Sequence, residues 1–143
     1  MPSCMTSHSN TPGNVVWLNG TFDVLHPGHF KLFRYARMLA GANGTVHVGV
    51  DTDERVQAFK GPSRPVNMLI TRTTNLLSIK EIDYVSSFSS DWELETLIYM
   101  NKPQFMVIGD DYRGKDIIGA QYIGKIVYIT RDEHSSTKII ESM

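Results

Sequence analysis

The 143-residue chain sets 14 Lys and Arg against 15 Asp and Glu, a formal net charge of −1, with 41% hydrophobic residues and one cysteine. That balance gives no whole-molecule field for nucleic acid or an anionic membrane, and Cys4 alone cannot build a disulfide framework, which suits a reducing compartment. No run approaches the roughly 18 consecutive apolar residues of a membrane span, and the N-terminus lacks the regions of a signal peptide, so the expectation is a cytoplasmic protein without nucleic-acid or membrane partners.

Residues 1–14 are polar and punctuated by proline and glycine, too poor in apolar surface to offset ordering, and read as a flexible leader to one domain over 15–143. Val15-Val16-Trp17-Leu18 is the first predicted strand. Over 28–39, Phe30, Leu32, Phe33, Ala36 and Leu39 recur at near-helical spacing with Lys31, Arg34 and Arg37 between them, which predicts an amphipathic helix. Residues 46–50 read as a strand and 53–59 as a short helix. Gly61-Pro62-Ser63-Arg64-Pro65 is a loop, because two prolines and a glycine break any regular pattern. Helical spacing resumes over 71–82 through Leu76, Leu77 and Ile79. A strand over 84–88, a helix over 92–100 with Leu94, Leu97 and Ile98 inward, and strands over 105–108 and 126–129 follow, with a terminal helix from about Ser136. Short β-branched runs alternating with helices predict an α/β fold: a three-layer, doubly wound, Rossmann-like sheet of five parallel strands, whose ligands bind beyond the strands' carboxyl ends.

The loop leaving the first strand reads Gly20-Thr21-Phe22-Asp23-Val24-Leu25-His26-Pro27-Gly28-His29 and runs straight into the first helix. Gly20 and Gly28 permit close backbone approach, and the helix start offers N–H groups and a positive dipole end to a phosphate. His26 and His29 flank that entrance. The loop is neither a Walker A sequence nor a G-x-G-x-x-G fingerprint.

His26-x-Gly28-His29 after a strand, with Gly20-Thr21-Phe22-Asp23 before it, resembles the cytidylyltransferase-like nucleotidyltransferase superfamily over about residues 15–140. The resemblance implies histidines that hold the phosphates of a nucleoside triphosphate and stabilise the transition state. Asn19-Gly20-Thr21-Phe22-Asp23, Lys60-Gly61-Pro62-Ser63-Arg64-Pro65-Val66-Asn67 and Ile118-Gly119-Ala120 resemble the branch that adenylylates heptose 1-phosphate. Gly109-Asp110-Asp111-Tyr112-Arg113-Gly114-Lys115 and Val127-Tyr128-Ile129-Thr130-Arg131 look more like glycerol-3-phosphate cytidylyltransferase. Both branches close with a glycine and Ser-Thr-Thr, where this chain has Glu133-His134-Ser135-Ser136-Thr137-Lys138; the heptose branch has Lys-Gly-Gly-Asp-Tyr where this chain has Ile108-Gly109-Asp110-Asp111-Tyr112. The triphosphate thus stays open between ATP and CTP, and the acceptor between a phosphorylated sugar and a polyol. Outside the enzyme class, the altered last segment leaves a weakly active nucleotide-binding module as the alternative. Dimers are common in the resembled families, so a homodimer is expected by analogy alone.

The resemblance implies attack of an acceptor phosphate oxygen on the α-phosphorus and departure of pyrophosphate. Such chemistry needs two polyanions positioned and charge spread, rather than a strong base. The expected catalytic residues are His26 and His29, donating to the triphosphate; Lys60, bridging the approaching phosphates; and Arg72, gripping phosphate oxygens with its fork at a helix start. Gly20, Thr21, Phe22, Gly28, Gly109 and Asp110 are the further expected nucleotide contacts, with Arg131, Ser136 and Thr137 closing over the β- and γ-phosphates. Mg²⁺ is expected through the triphosphate, since no dedicated carboxylate cage is visible.

Plainer readings stand beside these. The histidines could be ordinary caps, or zinc ligands with Cys4 or His134, although a full tetrahedral set is missing. Lys60 and Arg64 could be solvated loop charges, Arg72 a helix-surface ion pair, and Asp110 and Asp111 caps of a turn. His47 reads as a satisfied sheet residue, and Trp17, Phe22 and Phe33 as core.

Overall fold

The computed structural model describes residues 12–130. β1 (Val15–Gly20), β2 (Thr45–Asp51), β3 (Tyr84–Phe88), β4 (Phe105–Gly109) and β5 (Lys125–Ile129) pair in parallel throughout, in the order β3-β2-β1-β4-β5. α1 (Pro27–Ala40) links β1 to β2, α2 (Asp53–Lys60) and α3 (Leu69–Leu77) link β2 to β3, and α4 (Asp91–Asn101) links β3 to β4. The expectation of a doubly wound five-stranded parallel sheet holds. The link from β4 to β5 departs from it, since two 3₁₀ turns, Asp110–Tyr112 and Ala120–Tyr122, stand where a crossover helix is usual.

Strands buried on both faces need apolar side chains in both directions, and the runs supply them. Val16, Leu18, Val46, Val48 and Val50 face one way and pack with Phe33 and Ala36 of α1 and Leu76 of α3. Trp17 and Met106 face the other way, into a second core with Phe88 and the α4 residues Leu94 and Ile98. Trp17 and Phe33 are fully buried and Phe22 nearly so, as their reading as core requires. The Trp17 indole covers Gly49 of β2 so closely that a Cβ there would lie 2.6 Å from a ring carbon, which explains a glycine inside a strand.

His47 is hydrogen-bonded at both ring nitrogens. Nδ1 lies 3.1 Å from Oδ1 of Asn101 and Nε2 lies 2.8 Å from the Ser86 hydroxyl. The Asn101 amide donates to the Leu97 carbonyl, so its oxygen faces the histidine and the imidazole proton is assigned to Nδ1. Burial pushes this imidazole's pKa down, opposed by the bond to Asn101.

Two boundaries move. The helix expected over 71–82 is α3, Leu69–Leu77, and the chain then continues in turns in which Ile79 and Ile82 still pack into the α1-side core. The flexible leader does not extend to residue 14. Asn14 donates from its backbone to Ala40 O and from its side chain to Leu39 O, and accepts from Thr45 N–H, which fastens it across the end of α1 and the start of β2. Residues 1–11 of that leader and the expected terminal helix lie outside the described residues. Among the described residues no helix is long and apolar enough to cross a membrane.

Candidate active site

Strand β1 sits between β2 and β4, and the connections leave it in opposite directions, so the crevice at its carboxyl end is the switch point of the sheet. A cleft of about 750 Å³ opens there, and Gly20, Thr21, Phe22, His26, His29, Lys60 and Gly109 all line it. Gly28, Asp110 and Arg72 are absent from that lining.

The histidines build the start of α1. His26 is the N-cap, extended at φ −144° and ψ 172°, and Pro27 follows at the position where its missing N–H costs nothing. Nδ1 of His26 accepts from the Gly28 N–H at 3.1 Å, and Nδ1 of His29 accepts from the His26 N–H at 3.3 Å, a reciprocal capping box made of imidazoles. The rings stack with centroids 3.8 Å apart. With both Nδ1 atoms accepting, the hydrogen-bond network assigns a ring N–H of each histidine to Nε2. The histidines are therefore both caps and candidate donors. One expectation changes: the Gly28 N–H, expected to meet a phosphate, already donates to the His26 ring. No acidic residue occupies the first turn of α1, where the helix dipole is positive.

Phe22 holds this arrangement from below. It takes the left-handed conformation, φ 49°, uncommon for a side-chain-bearing residue, and its ring meets His29 edge-on at 5.3 Å and Phe33 at 5.5 Å. It is a packed wedge at the cleft wall.

Asp23, given no role by the sequence reading, joins two loops. Its carboxylate accepts from the backbone N–H groups of Val66 and Asn67, each at 2.7 Å, and its carbonyl accepts from the Asn67 side chain at 2.6 Å. The loop after Lys60 is thereby clasped to the loop that ends in the histidines. Lys60 itself is exposed at the end of α2, on the cleft wall, with Arg64 nearby on the same lining.

Arg72 corrects its expectation. The side chain is fully buried, with Nε donating to Asn67 O at 2.9 Å, Nη1 to Thr21 O at 3.0 Å and Asp51 O at 2.8 Å, and Nη2 to Asp53 Oδ1 at 2.7 Å. A guanidinium so engaged does not grip phosphate. It braces the ends of β1 and β2, the start of α2 and the loop before α3. It is an ion pair with Asp53, but one of the interior rather than of a helix surface. Asp110 opens the turn after β4 and accepts from Arg113 Nε at 2.9 Å, while Gly109 before it and Tyr112 after it reach the cleft.

Asp51 and Arg55 also escaped the sequence reading. Arg55 Nε donates to Asp51 Oδ1 at 2.7 Å, Thr21 donates to Asp51 Oδ2 at 3.2 Å, and Arg55 Nη2 reaches Asp91 at 2.8 Å. The four-residue spacing of Asp51 and Arg55 was the only available signal. Arg131, Ser136, Thr137, Cys4 and His134 lie outside the described residues. Among the described residues no group of three or more His, Cys, Asp or Glu is placed to hold a metal ion.

The family model of cytidylyltransferase-like domains matches residues 17–142. The chain belongs to the cytidylyltransferase-like family. It is 39% identical over 130 residues to the bifunctional protein HldE of Helicobacter hepaticus and 38% identical over the same length to that of Sulfurimonas denitrificans, covering 90% of this chain in each case. It spans about a quarter of the length of these relatives, 26% of each. The lipopolysaccharide core biosynthesis protein from Thermoplasma volcanium shares the fold, with a TM-score of 0.66 at 22% identity over 85% of this chain and 99% of that one. A cytidylyltransferase-like domain is a nucleotidyltransferase, and the geometry suits one: imidazole donors, a helix dipole and a lysine converge on one cleft.

Proposed function

We propose that the chain transfers an adenylyl group from ATP to the phosphate of a sugar phosphate, with heptose 1-phosphate the favoured acceptor, and releases pyrophosphate. The observation that carries this reading is the His26 and His29 pair at the start of α1, in the same cleft as Lys60. Its likeness to the HldE proteins supports it, as does the resemblance of residues 19–23 and 60–67 to the heptose branch.

An acceptor phosphate oxygen attacks the α-phosphorus in line, the bond from that phosphorus to the bridging oxygen breaks, and pyrophosphate leaves with the electron pair. The attacking oxygen is already ionised near neutral pH, so this chain's residues orient and stabilise rather than abstract a proton. Nε2–H of His29 donates to α-phosphate oxygens as charge grows there, His26 holds the leaving phosphates, and Lys60 bridges the two polyanions. The β- and γ-phosphates are assigned to Arg131, Ser136 and Thr137 on the resemblance alone. Mg²⁺ bound through the triphosphate would neutralise part of its charge and would need few protein ligands.

A second reading, CTP with glycerol 3-phosphate, draws on the 109–115 segment, of which Gly109 and Tyr112 line the cleft. Melting temperatures with ATP or CTP, each with Mg²⁺, separate the two, because a ligand of the native state alone raises stability by RT ln(1 + [L]/Kd). Preference for ATP, followed by pyrophosphate release with a sugar 1-phosphate, is expected. Preference for CTP moves the assignment to the second reading. Absence of pyrophosphate release with every acceptor overturns both and leaves a nucleotide-binding module.

A further inference from the structure

The cleft has two arms of different chemistry, one on either side of the end of β1. The arm at the start of α1 carries the imidazole donors and the positive dipole end. The other lies on the α4 side of the sheet, over the second core, where Phe88, Met106, Ile108 and Ile118 give it an apolar floor. Asp51 and Arg55 are among its polar groups, and Arg55 is shared with Asp91. Arg55 is thus committed to two carboxylates and offers little to a phosphate, while Asp51 can still accept from uncharged hydrogen-bond donors. The Asp51 carboxylate uses one oxygen for Arg55 and the other for the Thr21 hydroxyl, so each oxygen keeps a lone pair for a further donor.

Phe59 stands at the rim of the same cleft and is 71% exposed. Its ring stacks on the Arg55 guanidinium, 4.9 Å from the centroid, which fixes the aromatic face beside the carboxylate. An aromatic face held next to a hydrogen-bonding carboxylate suits a sugar ring, which presents C–H groups on one face and hydroxyls at its edge. Lys60, the next residue, ends the same helix and lines the same cleft.

Resting on the nucleotidyltransferase reading, we propose that Phe59 and Asp51 select the acceptor: the ring of a sugar phosphate lies on Phe59 and donates hydroxyls to Asp51, while Arg55 positions that carboxylate. Glycerol 3-phosphate has no ring to place on the aromatic face and is the poorer acceptor.

The test compares D-glycero-D-manno-heptose 1-phosphate, mannose 1-phosphate, glycerol 3-phosphate and methyl phosphate in pyrophosphate release by the full chain and by Phe59→Ala and Asp51→Asn. The sugar phosphates are expected to have the higher kcat/KM in the unaltered chain. Phe59→Ala should raise the KM for the sugar phosphate roughly tenfold, and Asp51→Asn roughly ten- to hundredfold, with the KM for the triphosphate held in Phe59→Ala. Calorimetric titration of mannose 1-phosphate into each variant reads the same loss without turnover. Since Phe59 is exposed, its variant keeps the test decisive should Asp51→Asn fold poorly. Preference for glycerol 3-phosphate, or unchanged sugar-phosphate KM and affinity in Phe59→Ala, overturns this proposal and leaves nucleotidyl transfer standing. No release with any acceptor overturns the transfer reading itself, and this proposal with it.

Discussion

Arg72 holds Thr21, Asp51, Asp53 and Asn67 with no surface exposed, so removing it leaves buried carbonyls and the Asp53 carboxylate without their donor. Arg72→Met should therefore cost about 3–5 kcal/mol, the scale for breaking a buried charged network, and Arg72→Lys should recover little, because an ammonium cannot span the same partners. Urea denaturation measures this, and a loss below about 1 kcal/mol would mean that the network contributes little. His29 acts in the opposite sense. His29→Ala should lower turnover by roughly two to three powers of ten, the scale for one transition-state donor, at a stability cost of about 1 kcal/mol from the lost cap. Steady-state kinetics beside a melting curve separate the two effects, and near-normal turnover would remove His29 from the chemistry. The histidines were legible in the sequence because their motif is local, four residues at one strand-to-helix junction. Arg72 was not. Its partners Thr21 and Asp51 lie 51 and 21 residues away, and only the folded chain brings them around one guanidinium.

The strands were legible because continuous β-branched runs have few ways to be buried other than between two layers of helices. α1 was read to within a residue at each end, since Pro27 and Gly41 punctuate it. α3 was overextended because Ile79 and Ile82 keep the apolar spacing and still face the core, although the backbone there is in turns. Periodicity records which side chains go inward, not which backbone carries them. Gly49 in β2 tests the packing between elements. Gly49→Ala puts a methyl into the Trp17 ring and should cost about 1–3 kcal/mol. Thermal melts measure it, and an unchanged midpoint would mean that the indole can swing aside without loss.

Across the whole molecule, the doubly wound pattern located the site before any side chain was placed, because ligands of such sheets bind at the switch point. On the walls contributed by α2 and the β4–β5 link, Lys60 and Gly109 were read from their motifs, whereas Arg55 and Phe59 were not, since their place in the cleft depends on contacts far apart in sequence. One half-buried imidazole contributes a pH dependence to global stability. His47 holds a depressed pKa in the folded state, whereas the unfolded chain takes up a proton near the ordinary value of 6.5. Its contribution is complete above that value and is lost as pH falls from there to the lowered folded value. Urea midpoints at about pH 7 and pH 5 should therefore drop less in His47→Gln than in the parent chain; equal drops would clear His47 of the effect. The central place of β1 also bears on how the chain reaches this structure. On one side β1 meets β2 after a single helix, but on the other Val15 meets Gln104, 89 residues away. Contacts of such separation close late and slowly. The cleft lies on that late seam, so hydrogen exchange during refolding should protect β2 amides before those of β4. Triphosphate binding should then appear only with the final phase, because its pocket is the last part of the sheet to be sewn shut.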